Sequence, residues 1–108
     1  MKKTAIQIKE IDHVATATAE LLPSETVLVT GIGNGTPLQV EERIPRGHKI
    51  ALRDIAANEQ ICKYGEVIGV ALAAINAGHW VHVHNCRGAK GRRFNANPNE
   101  NGGGYDEV

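Results

Sequence analysis

The densest cluster of side chains able to do chemistry is AGHWVHVHN, residues 77–85, which holds His79, Trp80, His82, His84 and Asn85. Read as a strand, it sends His82 and His84 to the same side as Trp80, with Val81 and Val83 on the other. Two imidazoles on one face bind a divalent ion or hydrogen-bond a carboxylate; the plainer alternative is a solvated strand whose histidines are satisfied by neighbours. A second group lies in IPRGHKIALRD, residues 44–54, where Pro45 and Gly47 set a turn and His48 and Lys49 then leave in opposite directions. His48 shares its side with Ile50 and Leu52, the pattern of a core histidine. Lys49 shares its side with Arg53, the pattern of a solvated lysine or of one held out for an anion. Lys63, in CKYGE, stands at a strand-to-turn junction, where a lysine either faces water or grips an anionic substrate as a compact point charge. No Ser/His/Asp order and no telling pair of carboxylates accompanies them. The residue chemistry alone describes a small β domain with a His/Lys anion or metal site.

The elements that must carry these groups read mostly as strands. Residues 4–9 (TAIQIK) and 13–18 (HVATAT) alternate apolar and polar groups, and 26–30 (TVLVT) is a β-branched run. Residues 38–44 (LQVEERI) resume the extended pattern after a glycine-rich turn, so 26–44 is predicted to be a hairpin. The GIGNG string of that turn is not a dinucleotide loop, because Pro37 follows where a helix would have to begin and the glycine spacing is wrong. IAANEQI (55–61) and INAGHWV (75–81) share one form: Ile, a tight turn with Asn58 or Gly78 in the left-handed region, then a strand. EVIGVALAAI (66–75) is divided by propensity between a helix and two short strands bent at Gly69.

One hundred and eight residues make one domain. The compact part is expected to span residues 1–86, followed by a tail over 87–108, first basic (RGAKGRR) and then rich in Asn and Gly, too polar to order itself alone. Phe94 and Tyr105 are that tail's anchors if it folds on a partner. With only four aromatic residues in the chain, the core is thin, and burial against another chain, a second copy included, would help it. Twelve basic and twelve acidic side chains cancel, which argues against nucleic acid or an anionic membrane surface as partner. The start MKKTAIQI imitates a leader, but Gln7, Lys9 and Glu10 interrupt the apolar run, and it reads as a first strand. The longest mainly apolar run, residues 67–75, is far short of the roughly 20 residues of a spanning helix. Cys62 and Cys86 fit neither a disulfide framework nor a four-sulfur metal site, and a cytoplasmic location is the default expectation.

Three strings in register, IPRGHKIALRDIA (44–56), KYGEVIG (63–69) and AGHWVHVHN (77–85), resemble the SAF-type domain of the altronate and galactarate dehydratases, which also serves as the small subunit of the related sulfolactate sulfo-lyase. The resemblance covers about residues 4–86. It implies an all-β fold, a compact β-clip of short strands, and so places EVIGVALAAI in strand. It also implies a lyase that eliminates water from a sugar acid, commonly with Fe²⁺ or Mn²⁺, in which this domain is joined to or assembled with a large catalytic portion. On that footing His82 and His84 are expected to contact the metal, His84 and Asn85 the substrate, and His48, Lys49 and Lys63 to serve the carboxylate or proton transfer. The sulfo-lyase small subunit, or a non-catalytic SAF binding module, is the alternative. His13 stands where the family is expected to have asparagine, an added ligand or a neutral change, and Asn58 where it tends to have glycine.

Overall fold

The alternating stretches become strands, each a little shorter than its pattern. The computed structural model describes residues 2–88. β1 (Lys3–Gln7), β2 (Val14–Ala17), β3 (Thr26–Gly31), β4 (Thr36–Gln39), β5 (Lys49–Ala51) and β8 (Trp80–Val81) form a six-stranded sheet in the order β4-β3-β1-β2-β5-β8. β6 (Gln60–Lys63), β7 (Glu66–Ala71) and β9 (Cys86–Gly88) form a second sheet in the order β6-β7-β9. Every regular element among the described residues is a strand, so the all-β expectation holds. No helix among them is long and apolar enough to cross a membrane.

Two expected boundaries change. The hairpin over 26–44 is present, with Thr26 opposite Gln39, but its second strand is β4; beyond it Val40 exchanges backbone hydrogen bonds with Ser24 and Glu25, and Ile44 forms an isolated bridge with Leu21. Pro37 fits because β4 is an edge strand, where a missing N–H costs no ladder bond. The body also runs past residue 86: Arg87 and Gly88 pair with Val70 and Gly69. The remaining tail, with Phe94 and Tyr105, lies outside the described residues.

EVIGVALAAI does not bend at Gly69. β7 is one strand, and the irregularity sits across from it, at Ile61 and Cys62 of β6. The glycine makes room for β9, since a Cβ at that position would stand 2.6 Å from Cys86 Sγ.

One turn unit is used four times. Residues 21–27, 44–50, 55–61 and 75–81 each begin with a bridging Leu or Ile and end in a strand; the fourth residue of each, Ser24, Gly47, Asn58 or Gly78, has φ between 71° and 87°. That residue's N–H donates to a carbonyl of a neighbouring segment (Val40, Ala17, Ala71 and Ala51 respectively), and the N–H of the same neighbour donates back to the next carbonyl of the turn. The left-handed backbone expected at Asn58 and Gly78 is therefore what turns both backbone groups toward one partner.

The bridges divide the core in two. Leu21 and Ile44 belong to a cluster with Ala15, Ala17, Val27 and Ile50, whereas Ile55 and Ile75 belong to one with Val14, Ala51, Ile61, Val81 and Cys86. Adjacent residues of β2 and β5 thus enter opposite clusters, and this part of the large sheet is covered on both faces. Here a polar side chain pointing away from one core enters the other.

Candidate functional site

Lys49 is the clearest product of that double cover. It lies opposite Thr16 on β2 and Val81 on β8, so the three side chains share the face that looks toward the smaller sheet. Lys49 is 3% exposed, which corrects the expectation of a solvated lysine beside Arg53. Among the described residues no carboxylate pairs with it. Burial, reinforced by the nearby Lys63 charge and only partly opposed by Cys86, lowers its pKa to about 8. Thr16, which the sequence offered no reason to select, places on the same face a buried Oγ1 without a hydrogen-bond partner among the described residues.

His48 and the histidine string meet around Trp80. β8 ends at Val81, so His82 and His84 are carried by a turn and not by the expected strand. Val81 is buried but Val83 is 45% exposed, which shows where the alternation stops. The turn nevertheless brings the rings together. Trp80 stacks near-parallel on His82 with centroids 5.6 Å apart, His84 lies 4.9 Å from Trp80, and His48 lies 4.6 Å from His82. The indole Nε1–H donates to His48 Nδ1 at 3.2 Å. His82 Nδ1 is buried with no partner among the described residues, and burial, followed by the charges of His48, Lys49 and His84, holds this imidazole below its usual pKa.

His48 is free for this contact for a local reason. In the first and third turn units the equivalent residues, Glu25 and Glu59, accept from the backbone N–H of Leu22 and Ala56, each at 2.8 Å. Pro45 occupies that donor position before His48 and has no N–H to offer. In place of a core histidine on the Ile50 side, the structure has a half-buried ring at the edge of the cluster.

Asn85 shapes the turn. Its Oδ1 accepts from His82 N–H at 2.9 Å and its Nδ2 donates to the Trp80 carbonyl at 2.8 Å, so the carboxamide is engaged at both ends. Lys63 occupies the β6 end of the β6–β7 hairpin, half-buried, with Nζ 4.7 Å from the Tyr64 ring centroid. Tyr64 and Gly65 both have positive φ, the signature of a tight two-residue hairpin turn.

Asp12 and His13 fix this hairpin to the large sheet. Asp12 Oδ1 accepts from Gly65 N–H at 2.8 Å and Oδ2 from Lys9 N–H at 3.0 Å. Burial pushes the Asp12 carboxyl up, but the backbone donors of Gly65, Lys9, Tyr64 and Ile8 outweigh it and leave the pKa below the ordinary value. His13 Nδ1 accepts from Cys62 N–H at 2.9 Å and its Nε2 lies 3.1 Å from Glu59 Oε2. The histidine that replaces the expected asparagine is thus a clasp between the two sheets.

The arrangement is therefore rich in cationic and hydrogen-bonding groups and poor in carboxylates. It does not fit a complete metal centre: among the described residues no three His, Cys, Asp or Glu side chains converge on a common point. His82 also stands close enough to Lys49 to feel its charge, and that charge repels a cation. An oxyanion is the better match.

Comparison with known proteins shows the family. Residues 3–89 match the family described as the altronate/galactarate dehydratase SAF domain. Altronate dehydratase of Escherichia coli (strain K12) is 43% identical over 82 residues, which are 76% of this chain and 16% of that enzyme. Galactarate dehydratase (L-threo-forming) of the same organism is 41% identical over 76 residues, 70% of this chain and 14% of the enzyme. The (2R)-sulfolactate sulfo-lyase subunit alpha of Paracoccus pantotrophus is 37% identical over 60 residues, 56% of this chain and 90% of that subunit. The chain thus spans less than a fifth of the length of each of these dehydratases.

Proposed function

The chain belongs to the altronate/galactarate dehydratase SAF-domain family, and on that premise we propose that it is the small subunit or N-terminal domain of a sugar-acid dehydratase of the altronate type, supplying part of an anion site to a larger catalytic portion. The observation that carries this reading is Lys49, a buried ammonium without a counter-ion among the described residues. An uncompensated buried charge lowers stability, and a substrate carboxylate would relieve it.

The reaction breaks the C2–H and C3–O bonds of a hydroxy acid. A base takes the C2 proton, and the electron pair moves into the carboxylate as the C1–C2 double bond of an enediolate; its return forms the C2–C3 double bond of an enol as the C3 hydroxyl, once protonated, departs as water. The enol then tautomerises to a 2-keto-3-deoxy acid. Lys49 and Lys63 stabilise the carboxylate and enediolate charge, His48 serves proton transfer, and His84 contacts substrate hydroxyls on the turn that Asn85 shapes. Fe²⁺ or Mn²⁺ belongs, in this reading, to the larger portion, with His82 and His84 at most at its edge.

The test is reconstitution with the large catalytic portion and assay of altronate and galactarate dehydration. Lys49→Met, and separately His82→Ala with His84→Ala, should each lower kcat/KM by at least ~100-fold. Activities within about twofold of the unsubstituted assembly would leave a non-catalytic binding module. The coverage of the Paracoccus pantotrophus subunit favours a second reading, a sulfolactate sulfo-lyase subunit. Sulfite release from sulfolactate, with no dehydration of either sugar acid, would select it.

A further inference from the structure

We infer that Trp80 is a positioning residue that keeps the His48 imidazole proton on Nε2, so that His48 meets an incoming oxyanion as a hydrogen-bond donor. The indole N–H only donates, so across the 3.2 Å contact His48 Nδ1 must accept, and the ring proton of the neutral imidazole is left on Nε2. With the opposite tautomer, two N–H groups would face each other and a lone pair on Nε2 would repel an anion.

Both partners are held in place by their backbones. Trp80 N–H donates to Glu42 Oε2 at 2.8 Å, its carbonyl accepts from Asn85 Nδ2 at 2.8 Å, and its register opposite Ile50 is set by β-pairing. His48 N–H donates to the Pro45 carbonyl at 3.0 Å, and the His48 carbonyl accepts from Ala17 N–H at 2.9 Å. The indole also packs against the first core cluster, which opposes a swing away from His48. His48 Nε2 has no such partner among the described residues and is not enclosed, which leaves it for a ligand. That the ligand is the substrate oxyanion rests on the function proposed above; the tautomer itself does not.

The test is long-range ¹H–¹⁵N correlation of the histidine side chains in the full chain, in mildly alkaline buffer and without substrate. His48 should show a single Nε2–H tautomer, and Trp80→Phe should return it to a mixture. An Nδ1–H tautomer in the unsubstituted chain, or a His48 spectrum unchanged by Trp80→Phe, overturns the inference. If Trp80→Phe fails to fold, His48→Ala provides the second measurement. Trp80 is the only tryptophan, so its indole N–H signal is unambiguous, and solvent exchange of that proton should quicken about tenfold. Unchanged exchange would be equally fatal. None of these readouts uses turnover, so they can fail while the dehydratase reading stands, and the reverse.

Discussion

Replacing Lys49 by methionine should stabilise the isolated domain. The folded chain lowers the pKa of Lys49 from 10.5 to about 8. At roughly 1.4 kcal/mol for each pKa step, the protonated lysine costs the fold about 3 kcal/mol near neutral pH. Methionine has a similar length and no charge, and the face it would enter already holds Val81 and Ala51. The sign follows from proton counting. Between about pH 8 and 10.5 the unfolded chain holds more protons than the folded one, so the parent protein gains stability as pH rises through that window. The advantage of the variant is therefore full near pH 7 and shrinks to roughly 1 kcal/mol by about pH 9.5. Urea titrations of both proteins at the two pH values measure it, and a rise in Tm of at least about 8 °C near neutrality is the thermal counterpart. A variant less stable than the parent, or an advantage that does not change with pH, would refute the account of Lys49 as a buried charge without a partner. Combined with the activity loss expected in the assembly, the result would mark a residue kept for function at the expense of stability.

Three further outcomes are expected. Thr16→Val should leave stability unchanged or raise it by up to about 1 kcal/mol, because the buried hydroxyl has no partner to lose among the described residues; a loss by denaturant titration would show that it has one. Asn85→Ala removes both clamps of the His82–Asn85 turn and should cost about 1–3 kcal/mol, with the Trp80 fluorescence altered; an unchanged midpoint and spectrum would contradict that role. Burial raises the Cys86 thiol to about 11, so alkylation of the native chain near neutral pH should modify the half-buried Cys62 first; mass spectrometry showing Cys86 modified first would contradict its placement.

The sequence by itself determined the strands and the turns, because both are written in local chemistry. Alternation over 4–9 and 13–18 and the β-branched run over 26–30 gave β1, β2 and β3 within a few residues, and Asn58 and Gly78 could be read as left-handed positions from their residue types. The three strings that carry the family resemblance were also legible, since they hold the turn residues and the side chains that the turns present. The tertiary structure decided what surrounds those side chains. Lys49 reads as a surface residue until the smaller sheet closes over that face of β5, and no periodicity within β5 reports a sheet built from residues 60–88. His48 meets Trp80 only because β5 and β8 pair, and Pro45 removes the donor that would have held a carboxylate in its place. The end of β8 at Val81 is likewise held by hydrogen bonds from Asn85, a side chain that the resemblance assigned to the substrate and not to the turn. Local propensity acts along the chain over a few residues, whereas burial and partnership are set by which strands stack, and that information is distributed over the whole sequence.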